Sequence, residues 1–355
     1  MRHCVIDIRP ICVLVLLTVL LWMPGNPVFG QVAEDHLTQA KGNSPATLHD
    51  KLLSAQRIVF LGDSITNKGQ FIVELEYRLL ELRSWMRGQS VINLGLSSET
   101  CCGLSEPAHR FPRPNVQTRI DDVLEKADPD VVVVCYGVND GIYHPYSEQR
   151  FAEFKKGLGQ RVGKIKAAGA IAIVLTPPPF DALPMRKSGK LVPASAVDFS
   201  WKQIYERYDE EVIQVYSDWI MENSLQADLV VDVGGPIRKF VAEKRKQDAS
   251  FALSADGIHI NKVGHQQMAL AIAEKLDFPS VVGQDGNVSE DRSQMIELIR
   301  KRQSITHPAW VTYVGHSRPK VVAGIPIDQA KQLAEEIGAK IEQLASATQL
   351  EVTVK

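Results

Sequence analysis

Two short polar motifs contain the side chains that an acyl hydrolase needs. Ser64 lies in the run Gly62-Asp63-Ser64 and could act as a nucleophile, while His259 could take its proton. Asp256 stands three residues before His259, so a single turn would bring its carboxylate against the imidazole and hold the required tautomer. Each motif also fits a purely structural role, because Asp and Ser favour helix caps and Asp-Gly favours a tight turn.

Donors to an oxyanion would complete such a site. The Ser64 backbone N–H is one candidate, the Gly95 backbone N–H is a second, and the side-chain amide of Asn139 is a third. Losing one donor of this kind typically costs about 3 kcal/mol of transition-state stabilisation. The alternatives are again structural, since Gly95 would end a strand and Asn139-Asp140-Gly141 would form an ordinary turn.

Strands and helices alternate along most of the chain. The predicted strands are Arg57–Leu61, Val91–Leu94, Asp130–Tyr136, Ala170–Leu175 and Leu229–Val233. The predicted helices are Pro45–Ser54, Lys68–Arg83, Pro114–Ala127, Phe151–Ala168, Asp198–Ser224, Pro236–Gln247 and Asn261–Leu276. This alternation predicts an α/β fold with a parallel sheet between layers of helices, and ligands bind such sheets beyond the carboxyl ends of the strands. Because three of the four motifs directly follow predicted strands, we expect the motifs to converge at that edge.

The four motifs, taken in order, resemble those of the SGNH hydrolases, also called the GDSL esterase/lipase family. The resemblance runs from Arg57 to Leu276. It rests on Gly62-Asp63-Ser64-Ile65, Asn93-Leu94-Gly95, Gly137-Val138-Asn139-Asp140 and Asp256-Gly257-Ile258-His259. Two departures are visible: Ile65 replaces a usual leucine, and Ser98 stands where the family often has a further glycine.

This resemblance implies a fold and a set of roles. The fold would be a three-layer α/β/α sandwich with a five-stranded parallel sheet, resembling flavodoxin. Ser64 would be the nucleophile, His259 the base and Asp256 the residue that orients the base. The oxyanion hole would combine the Ser64 N–H, the Gly95 N–H and the Asn139 side chain. The family implies no metal ion and no organic cofactor.

The ends of the chain lie outside the predicted catalytic domain, which we place at residues 57–277. Residues 1–30 are typical of a secretory signal, with an apolar run at Ile11–Met23 and a cleavage site before Gln31. An uncleaved anchor is the alternative. Residues 31–56 would form a leader and a first helix. After cleavage we expect no stable membrane insertion and an exported protein, either periplasmic or extracellular.

Residues 278–355 are predicted to form a C-terminal helical extension, with helices at Ser289–Gln303 and Ile327–Ser346. The stretch between these helices contains His316 and Arg318. One hypothesis is that these two side chains reach the cleft and bind substrate, and the other is that the extension only packs on the main domain. The loop Thr176–Val197 is likewise either a substrate wall or a solvated surface excursion.

Composition narrows the partners and the thiol chemistry. The chain is 45% hydrophobic and 23% charged, as in globular proteins, and its formal net charge of −2 argues against a general nucleic-acid binder. Three cysteines lie after the predicted signal, Cys101, Cys102 and Cys135, so at most one disulfide can form among them. Their spacing does not suggest a zinc site.

These observations together predict a secreted serine esterase that acts through an acyl-enzyme. Its substrate would be a small-molecule or polysaccharide ester, with O-acetyl groups on carbohydrates as the favoured class. Within the same family, the alternative is a lysophospholipase or thioesterase. The alternative from another class is a non-catalytic glycan-binding module on this fold.

Overall fold

The computed structural model describes residues 47–82, 89–186, 188–278 and 290–353. The predicted signal segment, residues 1–30, and the predicted leader as far as residue 46 lie outside the described residues. Within the described ranges, no helix is both long enough and apolar enough to cross a membrane.

A parallel sheet of five strands forms the centre of the protein. These strands are β1 (Arg57–Gly62), β2 (Ser90–Asn93), β3 (Val131–Cys135), β4 (Ile171–Leu175) and β7 (Leu229–Val231). Their order across the sheet is β2-β1-β3-β4-β7, so β1 and β3 are neighbours, with Gly62 opposite Cys135. Every residue of β3 is buried, as expected for a β-branched run covered on both faces. The predicted five-stranded parallel sheet is confirmed.

Helices cover the sheet and form the three-layer α/β/α sandwich that was predicted. They are α1 (Leu48–Ser54), α2 (Ser64–Lys68), α3 (Gln70–Glu81), α4 (Ile120–Ala127), α5 (Glu148–Ala167), α6 (Ala182–Arg186), α7 (Gln214–Met221), α8 (Gly234–Arg245) and α9 (Lys262–Lys275). Helix α9 packs against both α3 and α8, whereas α4 packs against α5. Helix α2 begins at Ser64 and α9 begins three residues after His259, so their first turns lie at the edge where the site is expected.

The predicted long helix at Asp198–Ser224 is wrong over its first half. Helical structure begins only at Asp209, with one π-helical turn, and continues as α7. Before it, a short strand β6 (Ile204–Tyr205) pairs with β5 (Leu191–Val192). The N–H groups of residues 204 and 206 donate to carbonyls of residues 190 and 192 at 2.9 and 3.0 Å, and this ladder excludes a helix there.

The predicted helix at Pro114–Ala127 also begins later than expected. A 3₁₀ turn occupies Val116–Thr118, and α4 starts at Ile120. The cause is a bridge to Thr100, whose N–H donates to the Pro114 carbonyl at 2.9 Å and whose carbonyl accepts from the Val116 N–H at 3.1 Å. Backbone groups committed to that bridge are not available to a helix.

The C-terminal region forms two long helices, α10 (Glu290–Val314) and α11 (Ile327–Thr353), which pack against each other. Helix α10 extends eleven residues beyond the predicted end at Gln303 and contains Pro308. It crosses α3 and β2. A small apolar cluster joins α3, α10 and α11, and its residues are Val73, Tyr77, Met295, Ile299, Ile337 and Ile341. The predicted helical extension is confirmed, and it packs on the β2 edge of the sheet.

Candidate active site

The turn after β1 presents Ser64 at the first position of α2. Asp63 caps this helix, since its Oδ1 accepts the Ile65 N–H at 2.9 Å, and burial raises the pKa of Asp63 to about 7. A Cβ on Gly62 would lie 2.7 Å from the Cys135 carbonyl oxygen, so only glycine fits beside β3. Within the described part of the chain, no acceptor pairs with the Ser64 N–H. Both structural roles expected for Gly-Asp-Ser, the turn and the cap, are therefore present, and Ser64 is still presented at the strand end.

Ser64, His259 and Asp256 lie in one hydrogen-bonded series. The distance from His259 Nε2 to Ser64 Oγ is 2.9 Å, and that from His259 Nδ1 to Asp256 Oδ2 is 2.7 Å. Because a carboxylate only accepts, Nδ1 carries a proton, and Nε2 of the neutral ring can accept from the serine hydroxyl. The side chains of His259 and Asp256 are 44% and 47% exposed, so the series is open to solvent on one side.

Electrostatics in this series favour a charged carboxylate and a basic imidazole. The hydrogen bond to Asp256 raises the pKa of His259 above its ordinary value, although partial burial opposes the shift. Burial alone would raise the pKa of Asp256, but hydrogen bonds from the His259 ring and backbone outweigh it and hold that pKa well below its usual range. The pair is thus poised to take and hold a proton.

The two oxygens of Asp256 serve different ends. Oδ1 accepts the backbone N–H groups of Ile258 and His259 at 3.0 and 2.8 Å and the Ser254 hydroxyl at 2.9 Å, which builds the turn. Oδ2 is left for the imidazole. Gly257 makes this turn possible with a φ of +76°. The turn and the candidate catalytic contact are therefore two functions of one side chain.

Both polar atoms of the Asn139 carboxamide make hydrogen bonds. Its Oδ1 accepts the Tyr143 hydroxyl at 2.8 Å, and its Nδ2 donates one hydrogen to the Glu99 carbonyl at 3.1 Å. Its second amide hydrogen has no acceptor among the described residues. Tyr143 and the preceding Ile142 have φ values of +62° and +47°, which is rare for non-glycine residues and rarer still for a β-branched one.

Gly95 does not have the free donor that was predicted for it. Its N–H donates to Asn93 Oδ1 at 2.9 Å, and the same Asn93 side chain donates through Nδ2 to the Thr66 carbonyl at 2.9 Å. A Cβ on Gly95 would lie 2.2 Å from the Asn67 backbone nitrogen. Close packing on α2 therefore explains this glycine, and the role of its N–H in the oxyanion hole is corrected.

The position that departed from the family pattern takes up the glycine-like conformation. Ser98 has a φ of +70°, so the loop follows a left-handed path with a serine at this point. Within the described residues, no acceptor pairs with the Ser98 backbone N–H. Its neighbour Glu99 supplies the carbonyl that Asn139 contacts, so this segment borders the candidate oxyanion site.

A model of the GDSL-like Lipase/Acylhydrolase family matches residues 60–267, more than half of the chain. The chain belongs to this family. The SGNH resemblance drawn from the motifs is confirmed, and the protein is a carboxylic ester hydrolase. Among curated protein sequences, none matches this GDSL-like acylhydrolase.

Several solved structures are similar to this acylhydrolase. A catalytic mutant of Axe2, an acetylxylan esterase from Geobacillus stearothermophilus, shares 18% identity at a TM-score of 0.44 over 63% of this chain and 95% of that chain. LAE5, an alpha/beta hydrolase enzyme from the metagenome of Lake Arreo, Spain, shares 21% identity at 0.44 over 62% and 95%. The acetyl xylan esterase AlAXEase shares 21% identity at 0.42 over 61% and 98%.

Buried charges support the loop that follows β2 in this acylhydrolase. Glu99 accepts two hydrogen bonds from Arg119, at 2.7 and 2.6 Å, and one from the Tyr136 hydroxyl at 2.7 Å. Arg113 makes a second bidentate pair with Glu106, at 2.6 and 2.7 Å. Sequence reasoning missed these residues. The charged residues among them lie in a polar segment of the chain, where a charged residue does not by itself identify a buried partner.

Asp140 was quoted in the third motif without a role. Its buried Oδ1 accepts the backbone N–H groups of Cys101 and Cys102 at 2.8 and 3.0 Å, which ties the loop after β2 to the turn that carries Asn139. Asp140 therefore helps to position Asn139, the residue before it.

All three described cysteines are free thiols, and burial raises the pKa of each, including Cys135 within β3.

His316 and Arg318 lie near residues that support the loop after β2. The Arg318 guanidinium stacks over the Phe111 ring at 5.4 Å, and the charged groups that bear on His316 are Arg119, Glu99 and Arg318. Among the described residues, no hydrogen bond or ion pair joins either side chain to Ser64, His259 or Asn139. Their substrate-binding role stays a prediction. A different residue of the extension, His307, contacts the Gly95 carbonyl at 3.0 Å.

Proposed function

We propose that this protein is an exported serine esterase whose catalytic triad is Ser64, His259 and Asp256. The observation that carries the proposal is the continuous hydrogen-bonded series, with 2.9 Å between Ser64 Oγ and His259 Nε2 and 2.7 Å between His259 Nδ1 and Asp256 Oδ2. Nucleophile, base and orienting carboxylate thus already have the contacts that acyl transfer requires.

In the acylation step, Ser64 Oγ attacks the ester carbonyl carbon and its proton passes to His259 Nε2. The carbonyl oxygen becomes an oxyanion, and the imidazolium is stabilised by the Asp256 carboxylate. The imidazolium then gives its proton to the leaving alcohol as the carbon–oxygen bond breaks, which leaves an acyl-serine. Water attacks this ester, with His259 again taking and returning the proton, and the carboxylic acid is released.

The oxyanion would be held by hydrogen-bond donors that have no other acceptor among the described residues. These are the Ser64 N–H, the second hydrogen of Asn139 Nδ2 and the Ser98 N–H. Ser98 replaces Gly95 in this proposal, because the Gly95 N–H already donates to Asn93. Donors that are held in place before the reaction lower the barrier without reorganisation at the moment of charge transfer.

For the substrate, we favour a short acyl group, such as acetyl, on a carbohydrate. Support comes from the half-exposed His259 and Asp256 side chains, which would let an ester projecting from a bulky polar molecule approach Ser64. The predicted export of the chain fits such a substrate outside the cell. The competing enzyme class, a lysophospholipase or thioesterase, would need to accommodate a long acyl chain beside Ser64.

Hydrolysis of p-nitrophenyl acetate by the purified protein, compared with Ser64→Ala, tests the esterase proposal. We expect Ser64→Ala to lose at least about 10³-fold in kcat. Equal rates for the two proteins would reject the esterase proposal and leave the glycan-binding module as the alternative. Measuring the binding of acetylated glycans to Ser64→Ala would then test that alternative.

Rates across p-nitrophenyl esters of rising acyl length, together with acetate release from acetylated glycans, separate the two enzyme classes. A maximum at acetyl with release from glycans supports the carbohydrate esterase, and a maximum at long chains supports the lipid or thioester alternative. Export has its own test, because a cleaved signal predicts that protein recovered outside the cytoplasm begins at Gln31.

A further inference from the structure

Three side chains contact backbone carbonyls of the loop after β2, and one of them comes from the C-terminal extension. Arg119 donates to the Leu94 carbonyl at 2.7 Å and Arg113 to the Ser98 carbonyl at 3.3 Å. Between them, Nε2 of His307 on α10 contacts the Gly95 carbonyl at 3.0 Å. Because a carbonyl only accepts, Nε2 is the protonated nitrogen of this half-buried ring.

The peptide that His307 contacts is hydrogen-bonded to the end of β1, two residues before the nucleophile. In a planar trans peptide the C=O and the following N–H point in opposite directions. While the Gly95 carbonyl faces His307, the Leu96 N–H faces the other way and donates to the Gly62 carbonyl at 2.9 Å. Gly62 is the last residue of β1, two positions before Ser64. One peptide unit therefore connects the extension to the strand end that carries the nucleophile.

Gly95 also touches the helix that begins with Ser64. Its Cα faces the backbone of Thr66 and Asn67 so closely that an added Cβ would lie 2.4 Å from the Thr66 carbonyl carbon. With no side chain between them, a shift of Gly95 away from α2 would leave α2 unsupported on this side. His307 contacts the Gly95 carbonyl on the side of this peptide opposite to Gly62, so it limits how far the peptide can move away from β1.

The position of His307 is itself well determined. One turn earlier on α10, Gln303 is buried and donates to the Val91 carbonyl of β2 at 3.1 Å and to Glu76 of α3 at 2.7 Å. On the other side, Gly324 packs against the backbone of Ala309, where an added Cβ would lie 2.2 Å from the Ala309 nitrogen. These contacts fix the position of α10 along β2, so the His307 imidazole is already placed beside the Gly95 carbonyl.

We propose that His307 is a positioning residue for the nucleophile: it fixes the Gly95–Leu96 peptide, which contacts the end of β1 and α2, and thereby sets the orientation of Ser64 toward His259. The C-terminal extension is then part of the catalytic unit. This inference rests on the proposed esterase function. His307 touches neither substrate nor the reacting atoms, so its effect belongs in kcat and not in substrate binding.

The test compares three variants of the full chain: His307→Leu, His307→Gln and Ile341→Ala. Leucine removes the donor, and glutamine retains an N–H donor on a flexible side chain. Ile341→Ala truncates a buried side chain of α11 in the small apolar cluster, which includes neither His307 nor Gly95. We measure kcat and KM with p-nitrophenyl acetate and the rate at which a fluorophosphonate labels Ser64. All assays run about 15 °C below the lowest Tm of the set, so that the folded fraction is the same.

His307→Leu is expected to lower kcat and the labelling rate together by about ten- to a hundredfold, because small misplacements of reacting groups have effects of this size. KM should stay within about twofold and His307→Gln should recover most of the loss. Ile341→Ala should lower Tm, because it leaves a cavity, while kcat stays within about twofold. If His307→Leu does not fold, His307→Asn replaces it, since the shorter amide cannot reach Gly95.

Unchanged kcat and labelling in His307→Leu would overturn the inference, as would an equal loss in Ile341→Ala, which would indicate general destabilisation. The proposed function fails separately, through an active Ser64→Ala. In that case the labelled residue would not be Ser64, whatever the His307 variants do.

Discussion

The Tyr143 hydroxyl donates to Oδ1 of Asn139 at 2.8 Å, and this bond decides which way the carboxamide faces. With Oδ1 committed to a donor, Nδ2 must point to the opposite side, where it meets the Glu99 carbonyl and keeps one hydrogen for a further acceptor. Tyr143 is itself buried in a left-handed backbone conformation. A strained residue that orients a candidate oxyanion donor is what is expected of pre-organisation at an active site.

Tyr143→Phe should therefore lower kcat with little change in KM. Asn139→Ala removes a donor and is expected to cost about 10²–10³-fold in kcat, whereas Tyr143→Phe leaves the donor present but free to rotate and should cost about tenfold. The decisive measurement is a double-mutant cycle, because Tyr143→Phe should have no further effect on kcat in the Asn139→Ala background. Tyr205→Phe, whose hydroxyl contacts Glu211, is the control and should retain kcat. Additive losses in the double variant would contradict this role.

The pH dependence of kcat/KM should report the elevated pKa of His259. Since His259 must be neutral to accept the Ser64 proton, activity should fall as pH drops through its pKa, and that pKa lies above the ordinary 6.5. Asp256→Asn removes the main cause of the elevation. The acid limb should then move to lower pH while the maximal rate falls by about 10³–10⁴-fold. A pH–rate profile of both proteins checks this, and an acid limb that does not move would show that another group is titrating.

The buried pair of Glu99 and Arg119 should contribute strongly to stability. Their side chains are 1% and 2% exposed, so Glu99→Gln leaves the Arg119 charge buried without its counter-ion, and we expect a loss of about 3–5 kcal/mol in the free energy of unfolding. Lys164 and Asp121 form a matched pair at the surface, at 2.7 Å, and Lys164→Met should cost about 0–1 kcal/mol. Urea unfolding measures both. Similar losses at the two sites would mean that burial is not the determining factor.

Position 98 should tolerate glycine and reject a β-branched residue. Ser98→Gly relieves the left-handed strain of a φ of +70° but gives the unfolded chain more freedom, so stability should change by less than about 1 kcal/mol and activity should persist. Ser98→Val should cost about 1–3 kcal/mol and lower kcat, because the loop that carries the Ser98 N–H must move. Thermal unfolding and esterase rates provide the comparison. A valine variant with wild-type stability and activity would exclude a left-handed residue at this point.

The β-branched run at Val131–Cys135, the strand-ending Gly62 and the alternation of strands with helices were sufficient to predict the central sheet from sequence. The candidate triad could also be chosen in advance. Ser64 follows β1 and the Asp256–His259 turn precedes α9, the last helix of the predicted catalytic domain. In a parallel sheet such points lie at the same edge. Residue spacing predicts the sheet because each strand or helix has its own hydrophobic period. It predicts the location of the triad because the carboxyl ends of parallel strands lie at one edge of the sheet.

Only the tertiary structure decided how each polar group is used. The sequence could not show that the Gly95 N–H turns toward Asn93, that β6 (Ile204–Tyr205) pairs with β5 (Leu191–Val192), or that His307 lies against a carbonyl more than two hundred residues away. Hydrogen-bond direction depends on loop dihedral angles and on distant partners, which compete with local propensity and leave no periodic trace in the chain. The residues alone therefore determined which groups could react, and the fold decided which of them are free to do so.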